Sequence, residues 1–228
     1  MATLLEELVV RIPADSVELE GALVIPEGAK AITLFAHGSG SSRHSPRNNY
    51  VAGLLRRRGL ATLLTDLLTA DEDRFDLARF DIERLTRRLT AVTRWVIRHA
   101  RTRGLGIGYF GASTGAAAAL KAAAALGPRI EAVVSRGGRP DLAQQALARV
   151  ESPTLLVVGG HDYGVIELNE KAYEKIPAAK ELVIIPGATH LFEEPGALDQ
   201  VADHAARWFE RWVGAGNKGE HRGEGTPR

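Results

Sequence analysis

Residues 105–125 read LGIGYFGASTGAAAALKAAAA, and this stretch decides the fold. Residues 105–110 are apolar and aromatic over the length of a strand, whereas residues 116–125 are almost all alanine and leucine, which favour a helix most strongly. The turn between them places Ser113 two residues from a glycine on either side. A serine at such a sharp strand-to-helix turn projects its hydroxyl beyond the sheet, as in a nucleophile elbow. We therefore predict that Ser113 is a nucleophile in an α/β protein.

Strand-like and helix-like segments alternate from residue 31 onward, which is the pattern of a doubly wound, mostly parallel sheet. The predicted strands cover residues 4–10, 17–25, 31–36, 60–65, 105–110, 130–135, 154–158 and 182–185. The predicted helices include residues 49–58, 81–103, 116–125 and 197–213. We expect an α/β fold with a sheet of about seven to eight strands and helices on both faces. The stretch between residues 67 and 80 is short and charged, so no large cap domain is expected.

The composition indicates the domain organisation. A chain of 228 residues with 45% hydrophobic content is long enough for one buried core. We assign residues 1–213 to a single domain and residues 214–228, which are rich in glycine and charged residues, to a polar tail. Nothing in the sequence indicates the oligomeric state.

The charge and hydropathy patterns exclude several classes of protein. The net charge is +1, and no basic stripe or polybasic segment suggests binding to nucleic acid or to a membrane surface. No apolar run approaches the roughly 18 residues of a membrane span, and the N-terminal residues lack the pattern of a secretory signal. We therefore expect a cytoplasmic protein. The absence of cysteine excludes disulfides, thiolate metal sites and a cysteine nucleophile.

A serine nucleophile needs a base within hydrogen-bond reach and a third group that orients the base. Polar residues that directly follow predicted strands are the candidates, because open α/β sheets carry their sites at the carboxyl ends of the strands. His190 lies in a glycine-containing loop after the last predicted strand, and Asp162 follows the strand before it. We assign His190 as the base and Asp162 as the acid. A solvated loop histidine and a turn aspartate are the alternatives.

Asp66 is the main competitor for the role of the acid, because it also ends a predicted strand. It precedes Ser113 in the chain, and we expect it to cap the following loop or to pack beneath the site. His161, which is next to Asp162, is interpreted as a loop neighbour rather than as the base.

The oxyanion that forms during nucleophilic attack requires backbone N–H donors. One donor is Thr114 N–H, which directly follows the nucleophile. The second is expected from the glycine-rich residues 37–40, and we assign it to Ser39 N–H. A phosphate-binding loop is the alternative, but the lysine and the glycine spacing of a P-loop are missing. We expect His37 to be structural and to bond across loops.

Two arginines are candidates for binding a charged substrate. Arg43 lies in the predicted oxyanion loop, and Arg136 directly follows a predicted strand, so we expect the Arg136 side chain to reach the rim of the pocket. The structural alternative is an ion pair with one of three carboxylates, Asp141, Glu193 or Glu194.

Four blocks of sequence resemble the α/β-hydrolase superfamily and, within it, the dienelactone hydrolase family. The blocks are FAHGSGSSRHSPRN at residues 35–48, GYFGASTG at residues 108–115, VSRGGRPD at residues 134–141 and GATHLFEEPG at residues 187–196. They are similar to a bacterial subgroup with a serine nucleophile, some members of which are fused to a phosphoribosyltransferase domain. The resemblance extends over roughly residues 5–213.

The resemblance implies a triad of Ser113, Asp162 and His190, in the chain order of α/β-hydrolases, with Ser39 and Thr114 as the oxyanion donors. Dienelactone hydrolases proper carry cysteine as the nucleophile, and this chain contains none. The departure favours an ordinary carboxylic ester over a lactone as the substrate.

The sequence therefore predicts a serine hydrolase that cleaves a small-molecule carboxylic ester and needs neither a metal nor an organic cofactor. A lactonase or a thioesterase with the same triad is the alternative among enzymes. A non-catalytic binding or scaffold protein with this fold is the alternative from another class. Such proteins usually lose a member of the triad, whereas all three residues are present here.

Overall fold

A single sheet organises the structure, a computed structural model that describes residues 6–214. Its strands are β1 (Glu7–Ala14), β2 (Val17–Val24), β3 (Ala31–Ala36), β4 (Ala61–Thr65), β5 (Gly106–Ala112), β6 (Ala132–Arg136), β7 (Thr154–Gly159) and β8 (Lys180–Ile185). These eight strands lie in the order β1-β2-β4-β3-β5-β6-β7-β8. The β1–β2 and β2–β4 pairs are antiparallel, and the other pairs within the described residues are parallel. The predicted fold class, a mostly parallel sheet of seven to eight strands, is confirmed.

Helices cover both faces of this sheet. They are α1 (Pro46–Arg57), α2 (Asp76–Arg79), α3 (Ile82–Arg98), α4 (Thr114–Leu126), α5 (Tyr163–Lys175) and α6 (Ala197–Trp212). One core lies between the sheet and α3, α4 and α5, and a second lies between the sheet and α1 and α6. Strand β5 contributes Tyr109 to the first core and Phe110 to the second. It is buried on both faces, as its continuous apolar sequence predicts.

Part of the sequence prediction lies outside the described residues. The polar tail, residues 214–228, falls there apart from Gly214, and so does the start of the first predicted strand. Within residues 6–214, no helix combines the length and the apolar character that crossing a bilayer requires.

Two helix boundaries differ from the prediction by three or more residues, and a polar side chain lies at each of them. Helix α1 begins earlier than predicted, since the Ser45 hydroxyl accepts a hydrogen bond from Asn48 N–H at 3.3 Å and caps the helix. Helix α3 ends earlier than predicted, and the Thr102 hydroxyl donates to the carbonyl oxygen of Val96 in its last turn, at 2.7 Å. Apolar periodicity carries no information about such caps.

The segment between β4 and α3 forms no large cap, as predicted. It contains a 3₁₀ turn (Glu72–Arg74) and the four-residue helix α2. The segment is charged, as the sequence indicates. It also exposes three large apolar side chains, those of Phe75, Leu77 and Phe80.

A buried ion pair ties this segment to α3. Arg88 is 3% exposed and donates to both carboxylate oxygens of Glu72, at 2.5 and 2.6 Å, and to the Leu67 carbonyl oxygen at 3.1 Å. The hydrogen bonds from Arg88 lower the pKa of Glu72 from 4.5 to about 2. Because the pKa is lower in the folded state, the pair stabilises the fold fully above about pH 4.5 and loses this contribution as the pH falls towards 2.

We expect Glu72→Ala to lower the free energy of unfolding by about 2 kcal/mol at pH 7, because buried Arg88 would keep only the more distant carboxylate of Asp15, 3.9 Å from its Nε. The difference from wild type should shrink below about pH 4.5, where the unfolded wild-type chain binds a proton at Glu72 and the pair loses its contribution. Urea unfolding of both proteins at pH 7 and at about pH 3 measures the effect.

The matched control is Glu83→Ala, which removes an exposed pair between Glu83 of α3 and Lys121. Such a pair contributes less than about 1 kcal/mol. An equal loss of stability for the two variants at pH 7 would contradict the anchoring role of Glu72.

Candidate active site

Ser113 lies at the turn between β5 and α4, at the carboxyl end of a central strand. Its backbone has φ 50° and ψ −120°, which is strained for a residue with a side chain. A Cβ atom on Gly115 would lie 2.2 Å from the Ala36 carbonyl oxygen, and one on Gly111 would lie 2.5 Å from the Ala116 Cα. Both positions therefore require glycine. The tight turn leaves the Ser113 side chain half-buried at the end of the sheet.

His190 and Asp162 meet beyond the ends of β8 and β7. The Nδ1 atom of His190 lies 2.6 Å from Oδ2 of Asp162. Because a carboxylate only accepts hydrogen bonds, it selects the tautomer in which Nδ1 carries the proton and Nε2 accepts one. The side chain of Asp162 is 16% exposed and that of His190 is 38% exposed. The imidazole is therefore accessible from solvent while a more deeply buried carboxylate sets its orientation.

The end of β6 lies between the serine and the histidine. Ser113 N–H donates to the Arg136 carbonyl oxygen at 3.3 Å, and a Cβ atom on the next residue, Gly137, would lie 3.5 Å from Cε1 of His190. Among the described residues, the His190 ring is hydrogen-bonded through Nδ1 only, so Nε2 is open to accept a proton. The contact between a base and its serine is often long before substrate binds and tightens in the complex.

The two predicted oxyanion donors lie on adjoining loops. A Cβ atom on Gly38 would lie 3.0 Å from the Ser113 Cβ, so the loop of residues 37–40 packs directly against the nucleophile. Ser39 N–H donates to the Thr114 hydroxyl at 3.0 Å. Thr114 N–H belongs to the first turn of α4, where backbone N–H groups have no acceptor within the helix and carry partial positive charge. The side chain of Thr114 thus links the two donor residues. Sequence reasoning predicted both residues but missed this link.

His37 holds the oxyanion loop in place. Its Nδ1 donates to the Gly38 carbonyl oxygen at 3.0 Å, and its Nε2 accepts from Leu67 N–H at 2.9 Å. Burial lowers the pKa of His37, so the ring is neutral near pH 7. It bonds across loops, as the sequence predicts.

Asp66 and Arg43 pair with each other. Asp66 Oδ1 accepts from Arg43 N–H at 2.6 Å, and Oδ2 pairs with the Arg43 guanidinium. Glu20 pairs with the same guanidinium at 2.5 Å. Asp66 therefore bonds to loop donors and not to His190, as expected. Two carboxylates that the sequence analysis did not consider thus pair with Arg43, and its role in substrate binding stays a prediction.

A cleft of about 500 Å³ lies beside the oxyanion loop. Its lining includes residues of that loop and of the segment after β4, among them His37, Ser41, Ser42, Arg43, Asp66 and Thr69. Clefts of this volume commonly accommodate small molecules. Its lining does not include Ser113, His190 or Asp162, so the cleft adjoins the oxyanion loop and is not the site of the proposed nucleophile.

Arg136, the second candidate for substrate binding, has different surroundings. It is 7% exposed, its Nη2 donates to Asn48 Oδ1 at 3.2 Å, and its guanidinium carbon lies 5.8 Å from the centre of the Phe192 ring. No carboxylate of the described residues pairs with it. The ion pairs that the sequence suggested are made by its neighbours, Arg139 with Asp141 and Arg47 with Glu193.

Sequence reasoning also missed Asn169, which is fully buried on α5. Its Nδ2 donates to the Gly138 carbonyl oxygen at 3.0 Å and supports the turn after β6. A buried amide on an otherwise apolar helix face is the signal that could have identified it. Within residues 6–214, no three His, Asp or Glu side chains come together as a metal site would require.

Two proteins of Mycobacterium tuberculosis, from strains CDC 1551 / Oshkosh and ATCC 25618 / H37Rv, are 56% identical to this chain over 200 residues. Both are provisionally named phosphoribosyl transferases. The match covers 88% of this chain and 45% of each relative, so the chain spans about half the length of these proteins.

Solved structures show the same fold. A dienelactone hydrolase from Anabaena variabilis is 55% identical, with a TM-score of 0.89 over 92% of this chain and 99% of that one. Est1E from Butyrivibrio proteoclasticus is 18% identical, with a TM-score of 0.76 over 89% of this chain and 98% of that one, a likeness of fold alone. The family model of the dienelactone hydrolase family matches residues 21–214, which is most of the sequence. Together with the strained serine turn and the histidine–aspartate pair beside it, this match means that the chain belongs to the dienelactone hydrolase family.

Proposed function

We propose that the protein is a serine hydrolase that cleaves small carboxylic esters through an acyl-enzyme on Ser113. The observation that carries the proposal is the 2.6 Å hydrogen bond between His190 and Asp162, beside a serine held at φ 50°. Membership of the dienelactone hydrolase family supports hydrolysis as the class of reaction. The role of each residue and the choice of a carboxylic ester are our assignments.

In the proposed mechanism, Ser113 Oγ attacks the ester carbonyl carbon while His190 Nε2 takes the hydroxyl proton. Asp162 holds the proton on Nδ1 and stabilises the imidazolium that forms. The tetrahedral intermediate collapses, the bond to the alkoxide breaks, and His190 passes its proton to the departing oxygen. Water then attacks the acyl-enzyme, with His190 again acting as the base, and releases the acid.

The oxyanion of the tetrahedral intermediate would accept hydrogen bonds from Thr114 N–H and Ser39 N–H. Before substrate binds, Ser39 N–H is engaged by the Thr114 hydroxyl at 3.0 Å. The hydroxyl must therefore share or release this donor when the oxyanion forms. In the resting protein it keeps the Ser39 N–H directed at the turn that carries the nucleophile.

The name of the M. tuberculosis relatives refers to phosphoribosyl transfer, an activity that we do not assign to this region. The Anabaena variabilis dienelactone hydrolase matches over 99% of its own length, whereas the chain spans 45% of the longer relatives. The transferase name and a hydrolase region are compatible if the name describes the other part of those proteins.

A panel of esters, lactones and thioesters tests the proposal. We expect the highest kcat/KM with esters, together with labelling of Ser113 by a fluorophosphonate, located by peptide mass spectrometry. A higher kcat/KM with lactones or thioesters would keep the serine mechanism and change the substrate class. The absence of both turnover and labelling would favour the non-catalytic scaffold.

We expect short acyl esters, from acetate to butyrate, to be better substrates than long-chain esters. The segment between β4 and α3 contains a 3₁₀ turn and a four-residue helix, and it is too short to enclose a long acyl chain. Initial rates with 4-nitrophenyl esters of increasing chain length give the preference as kcat/KM. A kcat/KM for esters of about twelve carbons that equals or exceeds the value for butyrate would contradict this expectation of a site for compact ligands.

A further inference from the structure

Arg136 is a buried cation without a counter-ion among the described residues. Within residues 6–214, its guanidinium donates a hydrogen bond only to the neutral Asn48 side chain, from Nη2, and the buried Nε has no partner. Burial, and to a lesser degree the charge of Arg47, lowers the pKa of Arg136 to about 10, so it remains a cation near pH 7. Removing a guanidinium from water is costly unless an anion compensates its charge.

A second guanidinium and a helix N-terminus add to this positive charge. Arg47 lies in the first turn of α1, and its Nη1 pairs with the exposed Glu193 at 2.8 Å, while its buried Nε has no partner in the part of the chain that the structure describes. The first turn of α1 contains no acidic residue, so nothing in it offsets the positive end of the helix dipole. Asn48, which accepts from Arg136, belongs to the same turn.

This positive cluster borders the proposed catalytic residues. The carbonyl oxygen of Arg136 accepts from Ser113 N–H at 3.3 Å. The guanidinium carbon of Arg136 lies 5.8 Å from the centre of the Phe192 ring, and Phe192 is in the same loop as His190. Arg136 therefore adjoins both the turn of the proposed nucleophile and the loop of the proposed base.

We propose that Arg136 and Arg47, at the N-terminus of α1, form a subsite that binds an anionic group of the substrate, either a carboxylate or a phosphate. The inference rests on the proposed function and narrows its substrates to esters that carry a negative charge. A guanidinium offers parallel N–H groups that match the oxygens of such an anion. The contacts seen here, with an amide oxygen and an aromatic ring, do not by themselves require a buried charge.

Pairs of esters matched in size separate the effect of charge from that of shape. Monomethyl succinate and methyl butanoate differ by a carboxylate on the acyl side, and acetoxyacetate and ethyl acetate differ by one on the alcohol side. We expect Arg136→Gln to lower kcat/KM for the charged member of at least one pair about tenfold to a hundredfold more than for its neutral partner. Arg139→Gln, which removes a neighbouring guanidinium already paired with Asp141, should affect both members equally. Equal losses for charged and neutral esters in Arg136→Gln would overturn the subsite.

Binding measured without turnover separates this inference from the proposed function. In the Ser113→Ala background, inorganic phosphate and succinate are the probes, thermal unfolding is the readout, and sodium chloride matches the ionic strength. We expect at least one anion to raise Tm, and the rise to vanish on addition of Arg136→Gln. The anion with the larger effect distinguishes a phosphate from a carboxylate subsite. No rise with either anion, or a rise that survives Arg136→Gln, would overturn the subsite, whereas retained ester turnover in Ser113→Ala would overturn the proposed function alone.

Stability without an anion separates binding from a structural role. Arg136→Gln removes an uncompensated buried charge, so we expect its Tm to equal or exceed that of wild type. A marked fall in Tm would contradict the subsite. Arg47→Gln, at the more exposed of the two arginines, is the second variant, and it should show a smaller loss of preference for the charged ester.

Discussion

Replacement of Ser113 by alanine is expected to lower kcat for the best ester by about 10⁴- to 10⁶-fold, because the variant has no nucleophile to acylate. The fold should be retained, since alanine keeps the Cβ atom at the same strained turn and loses only the hydroxyl. Stopped and continuous assays of acid release give kcat, and thermal unfolding with circular dichroism tests the fold.

The control for this variant is Ser16→Ala, which changes an exposed serine in the turn between β1 and β2. Its kcat should remain within about twofold of wild type, as for most surface substitutions away from special features. Near-native turnover in Ser113→Ala would refute Ser113 as the nucleophile. The histidine–aspartate pair would then have no assigned group from which to take a proton.

Replacement of Asp162 by asparagine is expected to lower kcat by about 10⁴-fold. The amide nitrogen of asparagine can donate to His190 Nδ1 and so favours the tautomer that carries its proton on Nε2. That nitrogen then cannot accept the proton of Ser113. The present hydrogen bond of 2.6 Å to Oδ2 of Asp162 is the contact that the substitution changes.

Asp66→Asn is the matched control, because Asp66 also ends a strand but accepts its hydrogen bonds from Arg43. This variant should have a lower Tm than wild type, whereas its kcat should remain close to the wild-type value. The opposite result, a near-normal Asp162→Asn enzyme beside an inactive and stable Asp66→Asn enzyme, would transfer the role of the acid to Asp66. Ser113 and His190 would keep their assigned roles.

The turn around Ser113 could be predicted because its causes are local. An apolar strand, two glycines and an alanine-rich helix follow one another within residues 105–125, and each part depends on its neighbours in the chain. The strand order could not be predicted in the same way, because β4 lies between β2 and β3 through pairings between distant segments. Hydrophobic periodicity identifies strands and helices but does not say which strands pair.

Among the polar contacts of the site, some could be predicted from chain order and others could not. Chain order suggested that Asp162 and His190 would meet, since both follow neighbouring strands of a parallel sheet, and the structure has them 2.6 Å apart. The engagement of Ser39 N–H by the Thr114 hydroxyl had no such signal, because it depends on the distance between two loops that are far apart in sequence.

The amino-acid sequence by itself determined the α/β architecture, the strand-to-helix turn at Ser113 and the strand ends at which polar side chains collect, because these follow from local propensity and periodicity. Only the tertiary structure decided the state of the two candidate arginines. Arg43 lies against Asp66 and Glu20, whereas Arg136 is buried beside an amide and an aromatic ring with no carboxylate of the described residues paired to it. The physical reason is that a charge responds to the groups within a few ångströms and to the surrounding dielectric, and neither is encoded in the residues next to it along the chain.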